Sequence, residues 1–441
     1  MKISVFLFFF LTSLFAYSQE DSTINYRQKG IELVYQHRYA EAKEAFSQYL
    51  ESLSAPQRKK VEKDINRFIA ICDFSETAIR DSVQVHIENA GETVNSRYDD
   101  YNAVVVAQPD TLLLFFTSLR PKGEYPDSAG RREDKEHVFA AAFTGGQAGE
   151  AAPSSPSTGK YISVAGVDHS GEGAVFYYKS KKRFGDIYRA KFKKNGSTDA
   201  GKRLSNTINS RTGRETGISF TANGDAYFIS DRRGGAGGKD IWYAEKSGKR
   251  SYKSPKNLGS AINTPLTEEG VEVSADGNTL YFSSNGHTGF GGFDIYKVQR
   301  TPDGNWGEPV NMGYPLNSPD DDLFYHITPD TTIALLSSNR RGGRGGLDIY
   351  VVKSVVEEME VEVEEKQEVN VDNEAEAAPV EEEVVEEKSA AEEQIDEVVK
   401  EDKVEDVETE EEAQVEEAVK EEEVGETESK SESEIEIEPQ S

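Results

Sequence analysis

A motif of Asp, Ile and an aromatic residue recurs in the sequence at a constant spacing. It begins at four evenly spaced positions: Asp186, Asp240, Asp294 and Asp348. A second marker, Asn followed by Ser or Thr, keeps the same step at 209, 263 and 317. Internal repeats of this length are typical of propeller blades and solenoid units, in which each repeat buries its apolar face against its neighbours.

Each repeat has the pattern of four short β-strands. In the repeat at 263–316, apolar and polar residues alternate on both sides of Asp276 and Gly277. This dipeptide favours a tight hairpin, because Gly adopts positive φ readily. A glycine-rich loop, a third strand, a turn at 302–304 and a short final strand complete the unit. A repeat of four antiparallel strands indicates one blade of a β-propeller.

The number of repeat starts predicts the number of blades. Three repeats are plain at 209–262, 263–316 and 317–353, and two divergent ones precede them. The last repeat lacks its fourth strand, whereas 83–94 resembles the fourth-strand segments of the other repeats. We therefore expect a mainly β fold over 81–353, a five-bladed (alternatively six-bladed) β-propeller. Its ring would be closed by 83–94 pairing with the last blade, which removes exposed sheet edges.

Two further segments precede the repeats. Residues 1–18 have the basic start, short apolar run and small residues before the expected cleavage site that are typical of a secretory signal peptide. Residues 19–80 show helical periodicity and predict tetratricopeptide-like helices, either a peptide-binding groove or a packing cap on the next domain. Cys72 is the only cysteine, which excludes an internal disulfide and a CxxC metal site.

The formal net charge of −31 comes from the last part of the chain. Residues 354–441 contain 38 acidic side chains and 6 lysines, whereas residues 1–353 contain 43 acidic and 44 basic ones. The tail has no aromatic residue, so it cannot bury enough apolar surface to offset its ordering entropy. We expect a disordered acidic tail. This balance argues against nucleic acid as a partner, because the tail would repel phosphate.

The repeat also resembles a known family. The segment SADGNTLYFSSNG followed by GGFDIYK is similar to the WD-repeat-like propeller repeat of TolB-type periplasmic proteins. The order of signal, helices and repeats over about 20–353 resembles the N-terminal half of Bacteroidetes OmpA-like envelope proteins. Those proteins are usually lipid-anchored and continue into a peptidoglycan-binding domain. Here no Cys follows the signal and the acidic tail takes that domain's place, so peptidoglycan anchoring is not carried over.

Candidate binding residues lie in the loops between the second and third strands and at the entries to the first strands. In a propeller these segments meet at one end of the ring, where Arg side chains could grip carboxylates of a peptide or glycan. The alternative is that they form salt bridges that fix neighbouring blades. The candidates are Arg232, Arg233, Arg340, Arg341, Arg344, Glu215, Glu269 and Asp322.

The four repeated Asp residues predict a structural role, since a catalytic centre needs one asymmetric constellation. An Asp that opens a strand can accept hydrogen bonds from the amides of the glycine-rich loop. No HExxH, GxSxG or phosphate-loop motif is present, and the six His residues are scattered among the repeats. We expect no catalytic residue, no metal, no cofactor and no enzyme activity.

The sequence thus favours a non-catalytic interaction protein of the periplasm that is not a lipoprotein, with the periphery of the outer membrane as one option. In this interpretation propeller and helices are a scaffold for an envelope or secretion complex, whose protein would be the partner. No integral membrane segment is expected after signal cleavage. The alternative is a module that binds a glycan or a peptidoglycan fragment, and a second alternative is a propeller hydrolase.

Overall fold

A computed structural model of the protein describes residues 25–108, 111–121, 136–154, 162–167, 175–181, 184–191, 199, 201–329 and 332–354. The predicted signal peptide at 1–18 lies outside the described residues, and so does the predicted acidic tail apart from Ser354.

Three helices form the N-terminal part of the described chain: α1 Tyr26–Tyr35, α2 Tyr39–Ser52 and α3 Ala55–Ala78, followed by a 3-10 turn at Ile79–Asp81. Helix α3 begins at a capping box formed by Ser54 and Gln57, which satisfies backbone donors of the first turn. A Cβ on Gly30 would lie 2.6 Å from the Phe46 ring, so glycine allows α1 and α2 to approach closely. No helix in the described chain is long and apolar enough to span a membrane.

The remaining elements of the described residues are strands in antiparallel sheets. The first sheet has five strands: β2 Asp100–Gln108, β3 Thr111–Ser118, β4 His137–Thr144, β5 Gln147–Ala148 and β6 Ala152–Pro153, the last also paired with β4. The next sheet contains β7 Ile162–Val167, β8 Val175–Lys181, β9 Phe184–Arg189 and β10 Lys202–Arg203.

Three more sheets have four strands each. One contains β11 Glu215–Phe220, β12 Ala226–Ser230, β13 Asp240–Ala244 and β14 Lys256–Asn257. Another contains β15 Glu268–Val273, β16 Thr279–Ser284, β17 Asp294–Gln299 and β18 Val310–Asn311. The last contains β19 Asp322–Ile327, β20 Ile333–Ser338, β21 Asp348–Ser354 and β1 Val85–Asn89.

The sheets form a propeller-like ring. Their innermost strands contact one another in the cyclic order β2, β7, β11, β15, β19 and back to β2. Strand β1 pairs with β21 over its whole length, from Val85 opposite Ser354 to Asn89 opposite Tyr350, so the first described strand completes the last sheet. The mainly β, propeller-like fold predicted from the sequence is therefore observed, with four four-stranded blades and one sheet of five strands.

A repeated main-chain hydrogen bond joins neighbouring sheets. The carbonyl of the residue just before the third strand accepts from the amide of the residue that opens the next inner strand. The N to O distance of this bond, with the amide donor named first, is 2.7 Å for Asp100 and Leu347, 3.2 Å for Ile162 and Glu136, 2.9 Å for Glu268 and Lys239, and 2.8 Å for Asp322 and Phe293. Each of these inner strands is thus tied to its neighbour at the same height in the ring.

The repeated Asn ties each sheet to the segment that leads into the next. The Asn317 side chain accepts a hydrogen bond from the Ile295 amide at 2.7 Å and donates to the Ile295 carbonyl at 2.8 Å. Asn263 makes the same pair of bonds to Ile241, and Asn95 makes it to Ile349. These side chains are fully buried, and each side-chain oxygen supplies the acceptor for an Ile amide, while each side-chain NH2 adds a second bond to an Ile carbonyl that already accepts one from the main chain.

We expect Asn317→Ala to destabilise the protein by about 1–3 kcal/mol, because it leaves the buried amide of Ile295 unpaired, whereas the Ile295 carbonyl keeps its bond from the Met312 amide at 3.0 Å. The free energy of urea unfolding measures the change. Asn305→Ala is the matched control, since the Asn305 side chain is exposed and bonds Asp303 within the same turn. Equal stability of the two variants would contradict a structural role for Asn317.

Candidate functional site

Arg232 makes a network of hydrogen bonds inside its own sheet. Its side chain is only 8% exposed, and its guanidinium donates to Glu215 at 3.0 Å, to the Ser230 hydroxyl at 3.0 Å and to two backbone carbonyls. It also lies over the rings of Phe228 and Trp242. These bonds engage all three guanidinium nitrogens, and Glu215 is fully buried beside them, so both side chains have their polar partners within the protein.

The same network recurs in two other sheets. Arg340 donates to Asp322 at 2.6 Å and to the Ser338 hydroxyl at 3.1 Å, and Arg120 donates to Asp100 at 2.7 Å. The structure therefore places four of the candidate binding residues in hydrogen-bond networks within their own sheets: Arg232, Arg340, Glu215 and Asp322.

The sheet of β15–β18 lacks this arginine. Gly286 occupies the position equivalent to Arg232 one repeat later, and the His287 ring bonds the Ile262 carbonyl at 2.9 Å instead. Glu268, the counterpart of Glu215, is fully buried and accepts from the Thr264 and Ser284 hydroxyls. Burial raises the pKa of Glu268 to about 7, because those hydrogen bonds offset the desolvation of the carboxylate only in part.

The repeated Asp residues bind the loops that precede them. Asp240 accepts from the Ala236 amide at 2.8 Å, Asp294 accepts from the Phe290 amide at 3.1 Å, and Asp348 accepts from the Gly345 amide at 3.1 Å. Asp186 differs, because the Arg203 guanidinium holds it with two bonds of 2.9 Å. Burial raises the pKa of Asp294 to about 8.

Two other arginine candidates contact acidic side chains elsewhere in the chain. Arg341 donates to both Glu32 oxygens at 3.1 Å and lies 3.4 Å above the Tyr35 ring centroid, so it holds α1 against the propeller. Arg344 lies 3.4 Å from Glu92. Arg233 is exposed in the glycine-rich loop after β12.

Helix α3 docks on the same loops. Arg67 donates to the backbone carbonyls of Asn285 and Gly292 at 3.1 and 3.0 Å, and Phe74 meets Phe290 edge to face. The helices therefore cover part of the loop end of the β15–β18 sheet. A packing role for this segment, one of the two predicted alternatives, agrees with these contacts.

The last candidate, Glu269, belongs to a different group of side chains. One Glu269 oxygen pairs with the Lys239 ammonium, and the other accepts from the Thr216 hydroxyl at 3.1 Å. Both the ammonium and the carboxylate are largely buried. Lys239 precedes the third strand of its own sheet, so this ion pair links two neighbouring sheets near the axis of the ring.

Tyr101 and Glu136 complete the group. The Tyr101 hydroxyl donates to Glu136 Oε1 at 3.0 Å, while Glu136 Oε2 is buried with no hydrogen-bond partner among the described residues. Burial raises the pKa of Glu136, and the Tyr101 hydrogen bond and the Lys239 charge oppose that rise. The Tyr101 ring stacks on Phe324 at 5.7 Å between centroids. We define the channel-mouth cluster as Tyr101, Glu136, Thr216, Lys239 and Glu269.

The channel-mouth cluster stands at the end of a central cavity. The residues that directly follow Tyr101, Thr216 and Glu269 on their inner strands all line a cavity of about 20 Å³. Glu272 and His326 lie in the same lining, 3.3 Å apart. A cavity of this size holds about one water molecule. The cavity therefore has no room for a larger ligand.

Sequence reasoning missed Tyr101, Glu136, Thr216 and Lys239. Glu136 and Lys239 occupy the position just before the third strand, where two other repeats have Phe293 and Leu347. An alignment of the repeats at that single position would have shown charged residues in two repeats and apolar residues in two others. No group of three or more His, Cys, Asp or Glu that could hold a metal ion occurs within the described parts of the chain.

Comparison with known proteins gives no family. No protein-family model and no curated protein matches the chain. Among solved structures, it is similar to the catalytic domain of a GH62 α-L-arabinofuranosidase from Coprinopsis cinerea, at 12% identity and a TM-score of 0.40 over 62% of this chain and 98% of that one. A sialidase is also similar, at 10% identity and a TM-score of 0.37 over 62% of this chain and 33% of that one. A glycosyl hydrolase from Bacteroides ovatus is similar at 9% identity and a TM-score of 0.36 over 58% of this chain and 84% of that one.

This comparison corrects two expectations. A non-catalytic scaffold without enzyme activity was predicted, and the prediction is wrong by this comparison, because the similar structures are described as glycoside hydrolases and a sialidase. The resemblance to TolB-type and tetratricopeptide proteins and the envelope-protein partner receive no support. Identities this low show no shared site, so any activity of this chain has to follow from its own contacts.

We expect Glu268→Gln to stabilise the protein above pH 7 and to leave it nearly unchanged below pH 4.5. A carboxyl pKa raised from 4.5 to about 7 adds stability at low pH, and that contribution is lost as pH rises through this window. The difference between wild type and variant should approach roughly 3 kcal/mol at pH 8. Urea unfolding at several pH values measures it.

Glu215→Gln is the matched comparison. It removes the charged partner of the buried Arg232, so we expect it to destabilise the protein at pH 7 by about 3–5 kcal/mol. If both variants shift stability in the same direction at pH 7, the missing arginine at Gly286 does not account for the behaviour of Glu268.

Proposed function

We propose that the chain recognises a glycan at the channel-mouth cluster. The observation that carries the proposal is Glu136 Oε2, a buried acceptor with no partner among the described residues. A buried acceptor of this kind costs stability unless a donor satisfies it. A sugar presents several hydroxyl donors within a few ångströms, so one sugar unit could satisfy Glu136 and contact Glu269 and Lys239 as well.

The surroundings favour a terminal sugar over a chain threaded through the ring. The cavity below the cluster holds about one water molecule, so a glycan would bind from the loop end and stop at the mouth. Tyr101 offers an aromatic ring beside the Glu136 carboxylate. Such a mixture of a few convergent polar groups with an aromatic wall is common in small-molecule sites.

We infer further that the five-stranded sheet is the fifth blade, which makes the ring a five-bladed propeller over 81–353. The cyclic contacts of the inner strands and the repeated bonds between sheets support this count. The pairing of β1 with β21 supports the proposed closure by 83–94.

The N-terminal segment at 1–18 supports a location outside the cytoplasm, as the sequence predicts. A periplasmic protein with this site would meet cell-wall glycan. We therefore include peptidoglycan fragments among the ligands to be tested, alongside neutral oligosaccharides.

Isothermal titration calorimetry with chitotetraose, xylotetraose, mannotetraose and a disaccharide muropeptide tests the proposal. We expect one of these to bind wild type, and Glu136→Gln to weaken binding about 5- to 50-fold, because an amide nitrogen cannot accept the hydrogen bond that Glu136 Oε2 is placed to receive. Glu308→Gln is the control, since Glu308 lies in the β17–β18 connection, away from the cluster. Binding that is absent, or equal in both variants, would refute recognition at this site.

A further inference from the structure

We propose that the channel-mouth cluster hydrolyses the glycosidic bond of the glycan it holds, with Glu136 as general acid and Glu269 as general base. The inference rests on the proposed function, because it assigns chemistry to the same site. It concerns a pair of carboxyl groups held in unlike surroundings near the ring axis. Hydrolysis of a glycosidic bond usually needs one carboxyl group in each protonation state.

Glu136 has the surroundings of an acid. One oxygen accepts from the Tyr101 hydroxyl at 3.0 Å, which fixes the orientation of the carboxyl group. The other oxygen is buried and has no partner among the described residues, so a proton on it has no acceptor within the described parts of the protein. Burial raises the pKa of Glu136, which favours the protonated form.

The surroundings of Glu269 favour its ionised form. Its two oxygens are held by the Lys239 ammonium and by the Thr216 hydroxyl. A neighbouring cation favours the charged form of a carboxyl group. The Lys239 charge also acts on Glu136, and the charges of both glutamates act on the Tyr101 phenol, so the four side chains share one electrostatic site.

The two glutamates occupy positions that the fold leaves free to vary. At the position of Glu136, before the third strand, two other repeats have Phe293 and Leu347. At the position of Glu269, second in the inner strand, two others have Thr216 and Leu323. The ion pairs made by buried arginines recur from one sheet to another, as expected of contacts that stabilise the repeat. The cluster does not recur among the described sheets, and a catalytic site needs such asymmetry.

The reaction is a single displacement. The Glu136 carboxylic acid gives its proton to the glycosidic oxygen as the bond from that oxygen to the anomeric carbon breaks. A water oxygen forms the new bond to the anomeric carbon, and Glu269 takes the proton that this water loses. The leaving alcohol and the sugar are both neutral, and proton exchange with solvent returns the two glutamates to their starting states.

The test uses the full chain and a panel of 4-nitrophenyl glycosides, comprising both anomers of glucose, galactose, mannose, xylose, N-acetylglucosamine and arabinofuranose. Release of 4-nitrophenol measures turnover, and calorimetry with the matching thioglycosides measures binding. We expect one glycoside to be cleaved, and Glu136→Gln and Glu269→Gln each to lower kcat about 100-fold or more. Glu308→Gln should retain wild-type turnover, since it leaves the cluster intact.

Tyr101→Phe gives a second readout that does not depend on tolerance of changes at Glu136. The Tyr101 hydrogen bond favours ionised Glu136, so its loss should move the alkaline limb of the pH–rate profile to higher pH. A purely structural Tyr101 would change the unfolding temperature without moving that limb.

The outcomes separate the two proposals. Binding without turnover of any glycoside overturns hydrolysis and leaves recognition standing. If the protein neither binds nor cleaves any of these glycosides, both proposals are overturned. Turnover that survives Glu136→Gln or Glu269→Gln at the wild-type rate overturns the assigned roles.

Discussion

The ring depends on a main-chain hydrogen bond that four of its inner strands make to the sheet beside them. The carbonyl before one third strand accepts from the amide that opens the next inner strand, as in Lys239 and Glu268 or Phe293 and Asp322. A strand edge left without such a partner would carry exposed donors and acceptors. Because the bond is made by the main chain, side chains at the same height are free to differ. The channel-mouth cluster uses that freedom, since Glu136 and Lys239 each supply a structural carbonyl and a cluster side chain.

Charge alone did not separate structure from function in the sequence. Arg232 and Arg340 look like ligand-binding residues there, because a sequence shows their charge and not their burial. In the structure, aromatic rings cover both guanidinium groups, and bonds to Glu215 and Asp322 hold them within their sheets. A buried ion pair is weak evidence for stability, but removing one partner leaves an uncompensated charge. Both arginines therefore contribute to the stability of the sheets that hold them.

The parts of the fold that could be predicted are those that the repeat specifies locally. The constant step of the repeat gives the opening Asp of β13, β17 and β21, and the Asp-Gly dipeptide places the turn between β15 and β16. The cluster could not be predicted in the same way, because Tyr101 and Glu136 come from the most divergent repeat. Their proximity to Glu269 follows only from ring closure, which brings distant parts of the chain to one axis. Gly286 is a similar case, because the absence of an arginine at this position matters only when the structure shows that Glu268 is buried nearby.

The pairing of β1 with β21 also determines how the ring would respond to force. Val85, where the chain enters β1, lies opposite Ser354, where it leaves β21. A pull between these two points acts on the same end of an antiparallel pair. The load falls on one residue pair at a time, beginning at Val85 and Ser354 and proceeding toward Asn89 and Tyr350. The ring would therefore open as a zipper opens, at far lower force than shearing every pair together, and its closure is also its mechanical weak point.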